Sequence, residues 1–259
     1  MYSVHLKKSL AQHLLIDSNV AKKIVSCLSL EQGDNVLEIG PGEGALTRIL
    51  LDKKTRILVL EKDKSLAQLL KSNWPEIDVL CIDALKVDWS RYNNFFASNL
   101  KVIGNLPYNV ASALLWKIVS SLLFSKMVFT VQKDVALRIA ANPGNRIYGA
   151  LSAWIQNFAR VKYEFEISEN VFCPRPKVKS AVISLQSCLS SERPQNPKDL
   201  AEILHLCFQK RRKQLKKIFK DRWDKDLEQE FYKLGISPQH RPENLTPRNF
   251  VQLSKICKQ

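Results

Sequence analysis

Three glycines spaced two residues apart constrain the fold of this chain more than any other feature of its sequence. Gly40, Gly42 and Gly44 follow a strand-like run at 35–39 and precede a helix-like run at 46–51. Glycine allows a sharp turn and lets a ligand approach the main-chain N–H groups at a helix N-terminus. A strand, a glycine turn and a helix in this order predict an adenosine-containing ligand bound at the turn.

Apolar runs of strand length alternate with helical patterns through more than half of the chain. This alternation predicts a mostly parallel sheet covered by helices on both faces. Two later strands, separated by a proline-rich loop, predict an antiparallel addition at one edge of the sheet. The predicted strands are 35–39, 57–61, 79–83, 102–105, 127–131, 161–167 and 180–185. The helices predicted among them are 19–28, 46–51, 65–70, 111–123 and 134–140.

The sequence changes character after the last predicted strand. Residues 187–197 are rich in serine and proline, which is typical of a linker. Helical patterns follow at 199–219, 226–234 and 248–257. We therefore predict two domains, a Rossmann-like α/β domain at 1–190 and a small all-α domain at 191–259.

Polar side chains end three successive predicted strands, at Glu61, Asp83 and Asn105. Open α/β sheets bind ligands at the carboxyl ends of their strands, so we expect these side chains to share one site. At such a site Glu61 can accept hydrogen bonds from both hydroxyl groups of a ribose. Asp83 can likewise accept a hydrogen bond from an adenine amino group.

Two cofactors agree with this arrangement. The glycines also satisfy the dinucleotide pattern G-x-G-x-x-A, with Glu61 about 20 residues after Gly40, so a nicotinamide-dependent enzyme is an alternative. Carboxylates, however, attract the sulfonium cation of S-adenosylmethionine and repel an anionic pyrophosphate. S-adenosylmethionine is therefore the predicted cofactor, and hydride transfer ranks last.

The segment 104–108, Gly-Asn-Leu-Pro-Tyr, is the most specific motif in the chain. An adenine amino group is a poor nucleophile because its lone pair is delocalised into the ring. Hydrogen-bond acceptors can localise that lone pair, and the Asn105 side chain with the main-chain carbonyl of Leu106 or Pro107 can supply them. Pro107 fixes the backbone, and Tyr108 offers an extruded base a stacking contact worth about 1–3 kcal/mol. These four residues are the predicted catalytic motif.

This motif, placed after such a glycine loop, resembles that of adenine amino methyltransferases acting on nucleic acid. Similarity to one group of them, the KsgA family, extends along nearly the whole chain. It is carried by KSLAQHLL (8–15), VQKDVA (131–136), YGALS (148–152), FCPRPKVKSAV (172–182), FQKRRKQL (208–215) and RPENL (241–245). The resemblance implies a class I S-adenosylmethionine methyltransferase fold. It also implies dimethylation of two adjacent adenosines near the 3′ end of small-subunit (16S) rRNA.

The resemblance also implies roles for individual residues. His13 and Leu15 would line the cofactor pocket, and Phe172 would sandwich the target base opposite Tyr108. Asn105 would stand at the reaction centre, next to the cofactor. The other implied cofactor-binding residues are Glu38, Gly40, Gly42, Glu61, Asp83 and Ala84.

Four positions depart from the family pattern. Ala11, His13 and Leu14 replace the usual Gly, Asn and Phe of the N-terminal signature. His13 can still donate and accept hydrogen bonds. Lys179 stands where the family usually has Asp, which adds positive charge beside the predicted base pocket.

The formal net charge of +15 predicts a polyanionic partner, nucleic acid before a membrane surface. Eight of the fifteen residues at 208–222 are Lys or Arg, and only Asp221 opposes them. We predict that this run lies on a helix and that Arg211, Arg212 and Lys213 contact rRNA phosphates. The expected partner is small-subunit rRNA within a pre-30S-type particle.

Two further functions remain as alternatives. One is an erythromycin-resistance methylase acting on large-subunit rRNA, although that related group lacks the tail patterns at 208–215 and 241–245. The other is a ribosome-assembly factor whose catalysis is secondary or lost, which the basic tail and the altered N-terminal signature would allow.

Several classes are excluded by composition. The six cysteines and four histidines are scattered, so neither a zinc site nor a disulfide framework is predicted. The N-terminus lacks the apolar run of a signal peptide, and the longest apolar stretch, 110–124, is interrupted by Lys117. We expect a cytoplasmic protein that acts as a monomer and does not bind membranes.

Overall fold

The computed structural model describes residues 13–94, 100–121 and 123–257. Residues 8–12 of the predicted N-terminal signature, with the departure at Ala11, lie outside the described residues. Within the described ranges, no helix is both long enough and apolar enough to cross a bilayer.

Within the described chain, a seven-stranded sheet forms the centre of the α/β part. The strands are β1 Leu14–Leu15, β2 Asn35–Ile39, β3 Arg56–Glu61, β4 Asp78–Cys81, β5 Leu100–Asn105, β6 Lys126–Gln132, β7 Ala159–Ile167, β8 Phe172–Cys173 and β9 Ser180–Ser187. The order in the sheet is β4-β3-β2-β5-β6-β9-β7. Neighbouring strands from β4 to β6 pair in parallel, and β9 pairs antiparallel with β6, as predicted. A separate two-stranded ribbon joins β1 to β8.

Helices alternate with the parallel strands and then take over in the tail. The helices are α1 Ser18–Ser26, α2 Thr47–Leu51, α3 Lys64–Asn73, α4 Ala111–Ser121, α5 Lys133–Ile139, α6 Ala150–Gln156, α7 Pro197–Gln209, α8 Leu215–Ile218, α9 Lys225–Lys233 and α10 Pro247–Ile256. Several begin at side-chain caps: Asp17 accepts the N–H groups of Asn19 and Val20 at α1, and Asp63 accepts those of Ser65 and Leu66 at α3. Short 3₁₀ turns lie at Ala84–Lys86, Trp89–Asn94, Glu169–Val171, Lys220–Arg222 and Pro242–Asn244.

The core of the α/β part is aliphatic. Strands β2, β3, β5 and β6 are buried along nearly their whole length, which is expected of parallel strands covered on both faces. Leu28, Val36, Leu50, Val59 and Ile103 are among the residues packed in this core. The rigid core fixes the carboxyl ends of the strands, where the polar residues stand.

The chain forms two compact units, and their limits differ from the predicted division at residue 190. The first holds the described residues up to Ala136 together with Val161–Ser187, and the second holds Leu137–Arg160 together with the chain from Cys188. Segment 137–160 joins the tail helices because its apolar side chains pack there. Tyr148, for example, is fully buried, with its ring centroid 6.2 Å from that of Phe208.

Two predicted elements need correction, and one helix was missed. Strand β4 ends at Cys81, and Asp83 caps the following 3₁₀ turn by accepting the Leu85 N–H. Helix α6 was not predicted, because its short run of seven residues gives little periodicity. The helix predicted at 199–219 stops at Gln209, so the four cations that follow lie in a turn. On a continuing helix Lys210 and Lys213, three residues apart, would face and repel each other. Arg211 instead forms an ion pair with Glu243.

Candidate active site

A cavity of about 160 Å³ opens at the carboxyl ends of β2, β3 and β5, within the first unit. Every residue predicted to bind the cofactor or to belong to the catalytic motif lines it. These are His13, Leu15, Glu38, Gly40, Gly42, Glu61, Asp83, Ala84, Asn105, Leu106, Pro107 and Tyr108. The sequence therefore placed the lining of this cavity correctly, although the role of each residue remains a prediction.

The glycine turn lets the N-terminal strand pack closely against the cavity. Gly40 and Gly42 have φ values of +67° and +61°, which L side chains rarely adopt. A Cβ at Gly42 would lie only 2.7 Å from Cδ2 of Leu14. Glycine at 42 thus lets strand β1 approach the turn and close one side of the cavity.

Glu61, at the end of β3, is buried and accepts main-chain N–H groups with both carboxylate oxygens. Oε1 accepts from Asp63 at 2.8 Å and Oε2 from Gly42 at 3.3 Å. Burial raises the pKa of Glu61, and these N–H groups oppose the rise. The Lys62 N–H also opposes the rise, so three main-chain N–H groups act on a carboxylate that has about four lone-pair sites, and room remains for a further hydroxyl hydrogen.

Glu38, at the end of β2, carries a buried oxygen without a partner. Its Oε2 accepts the Thr47 hydroxyl at 2.7 Å, whereas Oε1 has no hydrogen-bond partner among the described residues. Burial raises the pKa of Glu38 to about 8, and the nearby charge of Glu61 adds to the rise. Burying a carboxylate oxygen without a partner costs free energy, and a positively charged or N–H-bearing ligand would relieve that cost. The carboxylates of this cavity therefore fit a cationic cofactor.

Asp83 pairs with Lys62, whose Nζ lies 2.9 Å from Oδ2. The Lys62 hydrogen bond is the main reason that the pKa of Asp83 is lowered, so this carboxyl group is ionised at neutral pH. Beside it, the apolar side chain of Ile82 also lines the cavity and is 37% exposed. A charged acceptor next to an exposed apolar surface suits a flat ring bearing an amino group.

The Asn105 side chain is oriented by the chain segment that crosses in front of it. Its Nδ2 donates to the main-chain carbonyl of His13 at 2.8 Å. Because Nδ2 makes this bond, Oδ1 is the amide atom left to accept a hydrogen bond. The predicted chemistry needs such an acceptor at Asn105, and this role remains a prediction.

The structure distinguishes between the two candidate main-chain acceptors of the motif. The Pro107 carbonyl accepts the N–H groups of Val110 and Ala111, both at 3.1 Å, at the start of α4. Two hydrogen bonds occupy both lone pairs of a carbonyl oxygen. The Leu106 carbonyl accepts no hydrogen bond from the described backbone, so it is the acceptor available to a ligand.

Tyr108 is half-buried and contacts two other side chains at the rim of the site. Its hydroxyl lies 2.5 Å from the Ser180 Oγ at the start of β9. Its ring centroid lies 5.3 Å from that of His13, with 31° between the planes. Burial raises the pKa of Tyr108, which keeps the phenol neutral.

Two predicted target-binding residues occupy other places. Phe172 is only 3% exposed and packs in the aliphatic core with Leu15, so it presents no open face opposite Tyr108. Arg211 is engaged within the second unit, where its Nε donates to Glu243 at 2.8 Å and its Nη2 contacts the Arg146 carbonyl. The neighbouring Arg212 and Lys213 are exposed, as phosphate contact would require.

Sequence reasoning missed three residues that shape the site. Lys62 holds Asp83, Ser180 holds Tyr108, and Ile82 supplies an apolar surface. An apolar residue directly before Asp83 is a signal that the sequence contains. The roles of Lys62 and Ser180 depend on contacts that only the folded chain creates.

Two solved structures have a fold similar to that of this chain. A structure of dimethyladenosine transferase from Plasmodium falciparum superposes with a TM-score of 0.81 at 26% identity, covering 93% of this chain and 96% of that one. The 23S rRNA methyltransferase ErmE, at 20% identity and a TM-score of 0.71 over 95% and 100% of the two chains, shows the same fold. The sheet order and the glycine turn thus define a class I methyltransferase.

The family follows from sequence comparison. The model of the family described as ribosomal RNA adenine dimethylase matches residues 4–259. A protein of Maridesulfovibrio salexigens called ribosomal RNA small subunit methyltransferase A is 44% identical over 253 residues, which cover 97% of this chain and 95% of the relative. The chain belongs to the ribosomal RNA adenine dimethylase family. The predicted fold class, family resemblance and methyltransferase class are confirmed.

Proposed function

We propose that this protein dimethylates the exocyclic amino groups of two adjacent adenosines near the 3′ end of small-subunit rRNA, using S-adenosylmethionine. The substrate would be a pre-30S-type particle, met in the cytoplasm by a monomeric enzyme. The orientation of Asn105 carries the proposal, because its Nδ2 is bound to the His13 carbonyl and its Oδ1 is left to accept.

Asn105 and Leu106 would act on the amino group of the target adenine. Oδ1 of Asn105 and the carbonyl of Leu106 can each accept one of its two hydrogens. These hydrogen bonds would localise the lone pair on the nitrogen instead of in the ring. Because both acceptors are held before substrate arrives, little reorganisation is needed at the moment of reaction. Tyr108 would stack on the extruded base.

The cofactor would be held by the acidic residues at the strand ends. Glu61 would accept the ribose hydroxyls, Asp83 the adenine amino group, and the main chain of the Ala84 turn would lie beside the ring. Glu38 and the glycines at 40 and 42 would face the methionine part. When bound, S-adenosylmethionine supplies an electrophilic methyl group on a sulfonium.

A cationic surface next to Tyr108 supports an RNA substrate. Lys133 and Lys179 bind the two oxygens of Glu166, with Nζ–O distances of 2.5 and 2.6 Å. Lys133 directly follows β6, and Lys179 directly precedes Ser180, the first residue of β9. The two are neighbours, since the Lys133 main-chain N–H donates to the Lys179 carbonyl. The exposed Arg175, which pairs with Glu169, and the exposed Lys177 continue this basic rim, which is defined here as Lys133, Arg175, Lys177 and Lys179. An extruded nucleotide brings its phosphates to the mouth of the base site, where these cations would meet them.

The tail would supply additional phosphate contacts. Arg212, Lys213 and Lys217 are exposed and form no ion pair with any described residue. Arg222, by contrast, donates to the Cys257 carbonyl at 2.6 Å and so has a structural contact. We assign RNA binding in the tail to the exposed cations rather than to Arg211 or Arg222.

The test is methyl transfer from labelled S-adenosylmethionine to small ribosomal subunits that lack the modification. We expect label in two adjacent adenosines, identified by mapping the modified positions. Large subunits serve as the comparison substrate, and preferential labelling of them would indicate an erythromycin-resistance type of activity. Absence of label in any adenosine would refute the proposal.

If the protein only binds the ribosomal subunit, the methyl-transfer assay and the binding assay should give different results. Asn105→Ala should abolish methylation while leaving subunit binding intact, if binding and catalysis are separable. A wild-type protein that binds subunits and transfers no methyl group would be an assembly factor. Titration with S-adenosylmethionine and with a nicotinamide dinucleotide distinguishes the two cofactors.

A further inference from the structure

His13 lines the cavity and contacts both Asn105 and Tyr108, the first through its main chain and the second through its side chain. The main-chain carbonyl accepts from Asn105 Nδ2 at 2.8 Å. That contact depends on the backbone alone, so any residue at position 13 can provide it. The imidazole therefore needs a separate explanation.

The imidazole bonds to the segment that follows β8. Its Nδ1 lies 2.7 Å from the carbonyl oxygen of Pro174. A carbonyl oxygen only accepts, so Nδ1 carries the hydrogen of this bond. The pairing of Leu14 with Cys173 and of Leu15 with Phe172 aligns the same two segments. The side chain thus fastens the segment at 172–174 to the N-terminal strand.

The imidazole also packs against Tyr108. The ring centroids are 5.3 Å apart and the planes are inclined by 31°. The Tyr108 hydroxyl is held at its other end by Ser180. The tyrosine is therefore held by two contacts, with His13 against its ring and Ser180 at its hydroxyl. Phe172, the residue expected to face Tyr108, is buried in the core instead.

We propose that the His13 side chain is a positioning residue for the target adenine and not a ligand of the cofactor. It holds the Tyr108 ring and the Pro174 segment together as one wall of the base site. The inference rests on the proposed function, because it assigns a role within the same site. The family's usual Asn could donate to the Pro174 carbonyl but has no ring to place against Tyr108.

The test compares three substitutions that separate the two contacts. His13→Ala removes both, His13→Asn keeps a donor without a ring, and His13→Phe keeps a ring without a donor. For each variant we would measure kcat, KM for the unmodified small subunit, and the Kd of S-adenosylmethionine in the absence of RNA.

We expect His13→Ala to raise KM for the subunit about fivefold, which corresponds to the lower end of the range for losing an aromatic stacking contact. The Kd of S-adenosylmethionine should change by less than about twofold, because the main-chain carbonyl that holds Asn105 is retained. The Asn and Phe variants should each recover part of the loss. A parallel weakening of cofactor binding, or wild-type KM in all three variants, would overturn the proposal.

Asp17→Ala is the matched control. Asp17 caps α1 just after β1 and accepts two main-chain N–H groups, so its loss destabilises the same N-terminal segment without contacting Tyr108. It should lower the melting temperature and leave KM for the subunit unchanged. If Asp17→Ala reproduced the effect of His13→Ala on KM, the effect would be structural. Failure of the proposed function is recognised separately, because the wild-type protein would then label no adenosine.

Discussion

The hydroxyl of Tyr108 lies 2.5 Å from the Oγ of Ser180, which joins the motif after β5 to the start of the antiparallel strand β9. The antiparallel addition to the sheet therefore contributes to the candidate active site. It supplies the partner that holds the ring proposed to stack on the target base.

Removing this hydrogen bond should have a smaller effect than removing the ring. We expect Tyr108→Phe and Ser180→Ala to lower kcat/KM only slightly, because an aromatic face remains in place. Tyr108→Ala should cost about 1–3 kcal/mol of transition-state stabilisation, the worth of a base-stacking contact. Initial methylation rates on unmodified subunits measure both effects. Equal losses in Tyr108→Phe and Tyr108→Ala would show that the hydroxyl, and not the ring, is essential.

Asn105 should be essential for catalysis and nearly dispensable for cofactor binding. Asn105→Ala removes a preorganised acceptor, so we expect kcat to fall by about 10²–10³. Asn105→Asp should also be impaired, since a carboxylate cannot donate to the His13 carbonyl and would be repelled by it. Single-turnover rates and the Kd of S-adenosylmethionine give the two quantities. A loss of cofactor affinity as large as the loss of rate would contradict this assignment.

Glu38 should make the free protein less stable as pH rises. Its pKa is about 8 in the folded chain against an ordinary value of 4.5, so the unfolded chain releases a proton that the folded chain keeps. Between these values stability should fall by about 1.4 kcal/mol per pH unit, and it should level off above the folded pKa.

Glu38→Gln removes this dependence while keeping an acceptor for Thr47. The free energy of unfolding, measured without cofactor at about pH 5 and about pH 8, should shift in favour of the variant as pH rises. Glu31→Gln, at an exposed carboxyl group, is the control. A difference between variant and wild type that does not change with pH would refute the prediction.

Arg211 and Arg212 are adjacent and should behave differently. Arg211→Ala breaks the contacts with Glu243 and the Arg146 carbonyl, so we expect a loss of about 1–2 kcal/mol of stability. Arg212→Ala should leave stability unchanged and weaken subunit binding, because its side chain is exposed. Chemical denaturation and equilibrium binding separate the two. The reverse pattern would restore Arg211 as the phosphate contact.

Lys179 should contribute to RNA binding through the basic rim. Lys179→Ala should reduce the slope of log affinity against log salt by about 0.7–0.9, the loss of one phosphate contact. Lys162→Ala is the control, because Lys162 is also exposed and also paired with a glutamate of β7, Glu164, but is farther from Ser180 along the sheet. Equal effects of the two substitutions would show that only overall charge matters.

Local patterns in the chain determined the α/β alternation, the glycine turn and the residues that line the cavity. Each of these depends on short-range rules: strand length, turn-forming glycine, and the alignment of parallel strands at their carboxyl ends. For this reason Glu61, Asp83, Asn105 and Tyr108 could be placed at one site before their contacts were seen. The family resemblance extended this placement to His13 and Leu15.

Tertiary contacts decided the orientation and availability of individual groups. The Asn105 amide is turned by a carbonyl 92 residues away, and Arg211 is captured by a glutamate 32 residues away. Phe172 is buried by its pairing with β1, and the Pro107 carbonyl is occupied by α4. No periodicity or spacing encodes such pairings, because they join side chains that are far apart in the chain and meet only after folding.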